Sequence, residues 1–252
     1  KYAVKIQYPG VKKAIDRDIF TLKLLIASTK IIPKNINLDP IYEEVKFMME
    51  QEMDYKKELT HHDFFSEALA QTDLAKVIEP IHEFCNDRVL TTRYTKGYSA
   101  RSEEIQNLSQ EKRNELGEKF LHILYHEIFI WNRMQTDGHL GNYLVELKPK
   151  PKWILLDFGA TKVIKGKLLK QYKNLVKSCY TQNRELFFKT FETLGEFENF
   201  HTLDKDLYWG YIEIMNEPFV HDSYDFGNSD ISERALAYLP KLFQGVPEGS
   251  MP

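Results

Sequence analysis

The chain has 252 residues, and its 42% hydrophobic and 28% charged side chains are typical of a globular protein of one domain or two lobes. Its formal charge of −3, from 34 basic and 37 acidic residues, gives no electrostatic basis for nucleic-acid binding. The two cysteines, Cys85 and Cys179, are far apart, which argues against a disulfide scaffold or a CxxC zinc site. No apolar run approaches the roughly 20 residues of a spanning helix.

The N-terminal segment predicts a strand followed by a helix. Residues 2–8, YAVKIQY, alternate between two faces, and Pro9-Gly10 ends the run. A helical stretch follows from about residue 11 to residue 29, then the loop 31–40. Because Lys1 lies inside the strand-like run, with no initiator methionine or targeting segment before it, we expect this chain to be a fragment of a longer protein.

A second helix is predicted to begin at Asp39-Pro40, an N-cap followed by proline in the first turn. From there an apolar stripe recurs at helical spacing, and Glu52 falls in the middle of it. A carboxylate at that position is unusual, since buried acids need partners. The stripe consists of Ile41, Val45, Met48, Tyr55 and Leu59.

The middle of the chain predicts three further features. Residues 76–84 and 88–95 form a strand pair joined by the turn 85–87. A long helix runs from about residue 109 to residue 134. A hairpin joins strand YLVEL to strand WILLDF, and residues from about 166 onward are helical. Because the strands come before most of the helices, we predict an α+β fold with two unequal lobes.

Three sequence elements together are typical of nucleotide phosphoryl chemistry. These are Ala3-Val4-Lys5 on a strand, Asp137 followed five residues later by Asn142, and Asp157-Phe158-Gly159 after a buried-looking strand. A polyphosphate needs a positioned cation, and Mg²⁺ needs hard oxygen ligands. Ala3 and Lys5 share a strand face, so the small residue can lie against an adenine while the lysine reaches phosphate.

A second D-F-G, Asp225-Phe226-Gly227, shows that this tripeptide alone is weak evidence. It follows neither an apolar strand nor an Asp-x-x-x-x-Asn loop, so we interpret it as a structural turn. The joint occurrence of the loop and the first D-F-G is the stronger signal.

The chain resembles the UbiB-type (aarF-domain) atypical kinase family, and within it the mitochondrial branch that supports coenzyme Q biosynthesis. The likeness runs from Lys1 to about Gly227. It is carried by KIQYPGV, EQEMDY with Glu58 downstream, VLTTRY, QTDGHLGNYL and LLDFGATK.

The resemblance implies a protein-kinase-like two-lobed fold, with a small N-terminal lobe truncated at its N-terminus (residues 1–97) and a larger helical C-terminal lobe (residues 98–252). It also implies ATP and Mg²⁺ as cofactors. By this resemblance Lys5 binds phosphate, Asp137 is the catalytic-loop acid, and Asn142 and Asp157 are Mg²⁺ ligands. The residues that would line the nucleotide are Ala3, Lys5, Arg93 and Tyr94. Glu52 and Asp54 match the family's E-x-D motif, and Glu58 would pair with Lys5.

At the level of the whole protein, the resemblance implies ATPase-type or kinase activity on the matrix side of the inner mitochondrial membrane. Lipid or membrane-associated coenzyme Q biosynthesis proteins would be its partners. The family's Lys-x-Gly-Gln segment and nucleotide-covering loop would lie upstream of Lys1, which leaves open whether this piece turns over ATP by itself.

Several alternatives stay open from the sequence. The helix stripe selects Glu52 as the partner of Lys5, whereas the resemblance selects Glu58. No Ala-Pro-Glu follows Gly159, which argues against a peptide substrate. A small-molecule kinase of the choline or aminoglycoside type is a second enzyme class. A nucleotide-sensing, pseudokinase-like module without turnover would keep the same residues.

Overall fold

The structure is a computed structural model that describes residues 1–29, 38–194 and 203–244. Most of the predicted loop 31–40 lies outside the described residues. The chain divides into two compact units, one built from residues 1–21 and 43–164 and the other from residues 22–42 and 165–252. The predicted lobe boundary at residue 97 stays a prediction.

The strands are short and the helices carry most of the described chain. The strands are β1 (Tyr2–Ile6), β2 (Ala75–Val77), β3 (Val89–Arg93), β4 (Tyr98–Ser99), β5 (Arg133–Gln135), β6 (Tyr143–Glu146), β7 (Lys152–Leu155) and β8 (Thr161–Val163). The helices are α1 (Val11–Thr29), α2 (Asp39–Gln51), α3 (Tyr55–Ala70), α4 (Glu103–Gln106), α5 (Gln110–Phe129), α6 (Gly166–Tyr180), α7 (Arg184–Leu194), α8 (Lys205–Asn216) and α9 (Ile231–Gln244).

Strand β1 pairs with β3, not with a strand next to it in sequence. The pairing is antiparallel, with Ala3 opposite Thr92 and Lys5 opposite Leu90. The predicted pairing of residues 76–84 with 88–95 is therefore wrong for most of its length. Isolated bridges at Pro80 and Asn86 lie beside β3, while β2 pairs in parallel with β7. Residues 82–84 form a 3₁₀ turn that interrupts the predicted first strand.

The predicted hairpin is confirmed, since β6 and β7 pair antiparallel with Val145 opposite Trp153. It forms the centre of a four-stranded sheet in the order β2-β7-β6-β4. A separate ribbon pairs β5 with β8, and its register sets Gln135 opposite Thr161. This ribbon joins the chain just before Asp137 to the chain just after Gly159.

Two predicted helices end earlier than their apolar periodicity suggested. The helix from Asp39 breaks at residues 52–54, so Glu52 lies in a turn between α2 and α3 and the single stripe through it is wrong. The long helix stops at Phe129, because Asn132 adopts a positive φ of 53° and the chain enters β5. In both cases pairing and turn formation outweigh a local apolar repeat.

The core of the first unit packs α3 and α5 against the four-stranded sheet. Its most buried members include Phe65, Ile123, Val145, Leu155 and Phe158, all fully inaccessible to solvent. The second unit is helical, as predicted for residues from about 166 onward. Its core forms around Phe187, Phe188, Leu203 and Trp209. Within the three described ranges, no helix is both long enough and apolar enough to span a membrane.

Candidate active site

Lys5 is the cation at the centre of the candidate site. Its Nζ lies 3.0 Å from Glu58 Oε2, 3.2 Å from Glu58 Oε1 and 3.0 Å from Asp157 Oδ2. The β1–β3 pairing fixes its backbone, and its ammonium group lies 5.3 Å from the centre of the Tyr55 ring. Burial acts to lower the pKa of Lys5, but Glu58 and Asp157 outweigh burial and raise it. Lys5 therefore stays charged between two carboxylates.

Glu58 is positioned by the first turn of α3. Asp54 caps this helix, because its side chain accepts a hydrogen bond of 3.0 Å from the Lys57 N–H, and its carbonyl accepts the Glu58 N–H. Glu58 is only 2% exposed, and burial raises its pKa to about 7, with a further contribution from Asp157 and opposition from Lys5. The buried carboxyl thus depends on Lys5 for its negative charge.

Asp157 lies just past the end of β7, in the segment that begins with the D-F-G. Its Oδ1 accepts a hydrogen bond of 2.9 Å from the Gly159 N–H, while Oδ2 faces Lys5. Burial acts to raise the pKa of Asp157, but Lys5 and the Gly159 N–H together lower it. Phe158 anchors the segment in the core by stacking on Phe65 with 4.7 Å between ring centres. Asp157 therefore presents an ionised carboxylate, which can act as a metal ligand, on a fixed backbone.

Asp137 and Asn142 are brought together by the loop between β5 and β6. Asn142 Nδ2 donates to Asp137 Oδ2 over 2.7 Å, and the His139 N–H donates to Asp137 Oδ1 over 3.3 Å. The Asn142 carbonyl accepts the Leu156 N–H, which connects the loop to the chain before Asp157. The hydrogen bond between Asp137 and Asn142 thus closes the loop, which lies beside the D-F-G segment.

Glu52 does not pair with Lys5. It is exposed in the turn between α2 and α3, and its carboxyl forms no ion pair with the described residues. Partial burial of the carboxyl and the nearby Asp157 raise its pKa, and Lys5 opposes the rise. Its backbone comes close to Gly159, where an added Cβ would lie 3.5 Å from Glu52 Cα. Of the two acids left open by the sequence, Glu58 makes the contact with Lys5.

The residues predicted to line the nucleotide lie at the ends of the β1–β3 ribbon. Ala3 is exposed on β1, and the Tyr94 N–H bonds to the Lys1 carbonyl over 3.1 Å. The guanidinium of Arg93 forms two hydrogen bonds with Glu79. The Arg93 N–H also donates to the Glu79 carbonyl over 2.7 Å, so Glu79 engages both the side chain and the N–H of Arg93.

The donor set fits a hard cation such as Mg²⁺. Asp157 offers an ionised carboxylate whose side chain is 34% exposed, and Asn142 Oδ1 forms no hydrogen bond with the described residues. Within the described ranges no cluster of three or more His, Cys, Asp or Glu side chains is arranged for a metal. A magnesium ion held by Asp157 and Asn142 would take its remaining ligands from phosphate oxygens and water, as this ion does in nucleotide sites.

Sequence patterns predict no role for two polar residues near the site. Gln135 belongs to the QTD segment, and Tyr143 begins a predicted strand. Gln135 is 6% exposed and Tyr143 is 1% exposed, and both belong to the first unit. Their proximity to Asp157 depends on the β5–β8 and β6–β7 pairings, so a pattern in the sequence could not reveal it.

The second D-F-G behaves as the predicted structural turn. Asp225 accepts hydrogen bonds from the Gly227 N–H and from Asn228 Nδ2, and Phe226 is 62% exposed. Phe158 of the first copy is fully buried. The same three residues thus form an anchored segment in one place and a surface turn in the other.

Comparison with known proteins identifies the family of this chain. The ABC1 atypical kinase-like domain matches residues 1–191. The chain is 32% identical over 249 residues to the atypical kinase coq-8, mitochondrial, of Caenorhabditis elegans. This alignment covers 96% of this chain and 32% of that protein. It is also 32% identical over 243 residues to the atypical kinase COQ8, mitochondrial, of Schizosaccharomyces pombe, covering 95% of this chain and 39% of that protein. The chain therefore spans about a third to two fifths of the length of these two relatives.

A solved structure shares the fold at low sequence identity. The structure of Rv3197 from Mycobacterium tuberculosis, in complex with erythromycin, matches with a TM-score of 0.61 and 18% identity. The match covers 97% of this chain and 67% of that one. The fold is thus α+β and protein-kinase-like, as predicted, and the chain belongs to the family of ABC1 atypical kinase-like domains.

Proposed function

We propose that this chain is the nucleotide-binding part of an Mg²⁺-dependent atypical kinase or ATPase. The observation that carries the proposal is that carboxylate oxygens of Glu58 and Asp157 both lie within 3.2 Å of the Lys5 ammonium group. A lysine fixed by a buried acid, next to an ionised aspartate, is the arrangement that phosphoryl transfer from a nucleotide requires.

Each residue has a distinct proposed role. Lys5 holds the phosphates, and Glu58 holds Lys5. Asp157 and Asn142 supply oxygen ligands to Mg²⁺, whose charge offsets that of the phosphates. Asp137, which is held by Asn142 over 2.7 Å, orients the attacking group and accepts its proton. Ala3, Arg93 and Tyr94 would line the nucleotide on its adenine side.

The names of the relatives suggest the wider role. Both relatives are named as mitochondrial atypical kinases, coq-8 in one organism and COQ8 in the other. We therefore propose that the whole protein supports coenzyme Q biosynthesis in the mitochondrion. It would act on the matrix side of the inner membrane, together with lipid or with membrane-associated coenzyme Q biosynthesis proteins.

The site assignment is tested by nucleotide binding in matched variants of the purified full-length protein. Wild type should gain thermal stability from ATP only when Mg²⁺ is present, and Asp157→Asn should remove that gain. The matched control is Asp225→Asn, which changes the exposed second D-F-G and should behave as wild type. An Asp157→Asn variant stabilised as strongly as wild type would refute the site.

Turnover separates the proposal from its alternatives. Steady-state ADP release should be measured with and without lipid vesicles. Mg-nucleotide binding without ADP release under any condition would favour the nucleotide-sensing module. ADP release that depends on an added amino alcohol or aminoglycoside would favour the small-molecule kinase.

A further inference from the structure

A buried hydrogen-bonded pair connects the sheet to the backbone of Asp157. The Tyr143 hydroxyl donates to Gln135 Oε1 over 2.7 Å, and Gln135 Nε2 donates to the Asp157 carbonyl over 2.5 Å. These side chains come from β6 and β5, and both are almost inaccessible to solvent. Since buried polar groups gain most from complete pairing, this chain of two hydrogen bonds is a specific feature of the interior.

The direction of the two hydrogen bonds is fixed. The Asp157 carbonyl can only accept a hydrogen bond, and the Tyr143 hydroxyl donates to Gln135 Oε1. The amide of Gln135 then has only its NH₂ group free for the Asp157 carbonyl. If the amide were reversed, two carbonyl oxygens would face each other.

The Asp157 carbonyl belongs to the peptide group between Asp157 and Phe158. On one side of this planar group the Asp157 carboxylate faces Lys5, and on the other Phe158 packs on Phe65. The Gln135 hydrogen bond fixes the orientation of this planar group, and with it the ψ angle of Asp157 and the φ angle of Phe158. These two backbone angles set how the segment with the carboxylate is positioned relative to the buried Phe158 ring.

We propose that Tyr143 and Gln135 are positioning residues that hold the Asp157–Phe158 peptide group, so that the Asp157 carboxylate is kept in place to bind Mg²⁺ with nucleotide. The inference rests on the proposed function for its metal. The two residues touch neither the nucleotide nor the metal; they act through the Asp157 backbone. The sensitivity of the site to Mg²⁺ is thus set partly inside the core.

Tyr143→Phe is the sharpest variant, because it removes the hydroxyl and keeps the ring that packs against Phe120 and Trp153. Gln135→Met removes the amide at similar volume. The control is Tyr125→Phe, which removes a hydroxyl from a ring that is 54% exposed on α5. Binding of a fluorescent ATP analogue is titrated with Mg²⁺, and hydrogen–deuterium exchange of residues 154–160 is followed without nucleotide.

Tyr143→Phe should raise the Mg²⁺ concentration for half-maximal binding by about fivefold, the size expected for one lost hydrogen bond. Nucleotide affinity at saturating Mg²⁺ should stay within about twofold, since Lys5 is untouched. Exchange of residues 154–160 should become faster, and Tyr125→Phe should match wild type. Combining Tyr143→Phe with Gln135→Met should add little, because both act through one hydrogen-bonded chain.

A drop in melting temperature of Tyr143→Phe, with unchanged Mg²⁺ half-saturation and unchanged exchange, would overturn the inference and make the pair merely structural. Failure of wild type to bind Mg-nucleotide is a different result. It would refute the proposed function, and the exchange measurement would still decide whether the pair holds the Asp157–Phe158 peptide group.

Discussion

Lys5 and Glu58 are 53 residues apart in sequence, yet the ammonium group of one lies 3.0 Å from a carboxylate oxygen of the other. Glu58 is almost completely buried, whereas the Lys5 side chain is 40% exposed. The ion pair therefore has one end in the interior and one end open to solvent. Because an unpaired buried charge is costly, the protonation of Glu58 depends on Lys5.

Removal of Lys5 should cost more stability at higher pH. The pKa of Glu58 is raised to about 7 even with Lys5 beside it, so in Lys5→Met the carboxyl takes up a proton near neutral pH. At pH 6 Lys5→Met should lose chiefly the attraction between Lys5 and Asp157, and its deficit in unfolding free energy should grow towards pH 8.5 as the Glu58 carboxyl is forced to ionise. Urea unfolding at both pH values measures this.

The double variant Lys5→Met with Glu58→Gln is the matched control for that prediction. It has no carboxyl to ionise, so its stability should not show the added loss at pH 8.5. Equal losses in the single and double variants would mean that Glu58 is not the group responsible.

Asp137→Asn should separate turnover from binding. The variant keeps one side-chain oxygen, which can accept the 2.7 Å bond from Asn142 while the longer bond from the His139 N–H is lost, so most of the loop should persist. It loses the carboxylate that we propose accepts the proton of the attacking group, and general bases of this kind contribute about 10²–10⁴-fold in enzymes. We expect ADP release to fall by that order, with ATP affinity within a few-fold. Turnover equal to wild type would remove Asp137 from the chemistry.

Asp54→Ala should destabilise the start of α3. It removes the side chain that accepts the Lys57 N–H, and the loss of such a cap costs about 1 kcal/mol. Asp54→Asn keeps an acceptor oxygen and should retain most of the stability. The free energy of unfolding in urea compares the three proteins, and an Asp54→Ala value equal to wild type would show that the cap contributes nothing.

Glu127 should give the protein a stability that declines with pH. It is fully buried on α5, and both carboxyl oxygens lack a hydrogen-bond partner among the described residues. Burial raises its pKa to about 8, and the nearby Gln135 N–H opposes the rise. Between its unfolded pKa and about pH 8 the folded protein keeps a proton that the unfolded chain releases. Its contribution to stability is therefore complete at low pH and is lost as the pH rises through about 8.

Glu127→Gln should remove this dependence, because the amide stays neutral. Relative to wild type, the variant should gain up to about 1.4 kcal/mol per pH unit across that window. The control is Glu118→Gln, whose side chain is 74% exposed on the same helix. Parallel stability curves for Glu127→Gln and wild type would contradict a buried neutral carboxyl.

The hairpin of β6 and β7, helix α1 and the helical character of the chain beyond residue 166 were predictable, because each depends on local periodicity and turn residues. The same holds for the loop from Asp137 to Asn142, where a fixed spacing of five residues closes a hydrogen bond within the loop. The kinase-like site could therefore be identified from short segments.

Interactions between distant segments were not predictable from such patterns. The apolar stripe favoured Glu52, but the helix ends at residue 51 and Asp54 caps a new one, which moves Glu58 to Lys5. Similarly, β2 pairs with β7, although 75 and 153 are far apart in sequence. A local repeat carries no information about which strand or turn will compete for the same backbone groups.

The amino-acid sequence is enough to show which chemical groups this protein has and how they are spaced within each segment: a strand lysine, an Asp-to-Asn loop and a D-F-G after a buried strand. Which acid contacts Lys5, and the connection from Tyr143 through Gln135 to Asp157, depend on the three-dimensional fold. The reason is that such contacts join residues from separate elements, and their geometry is set by strand register and core packing across the whole unit.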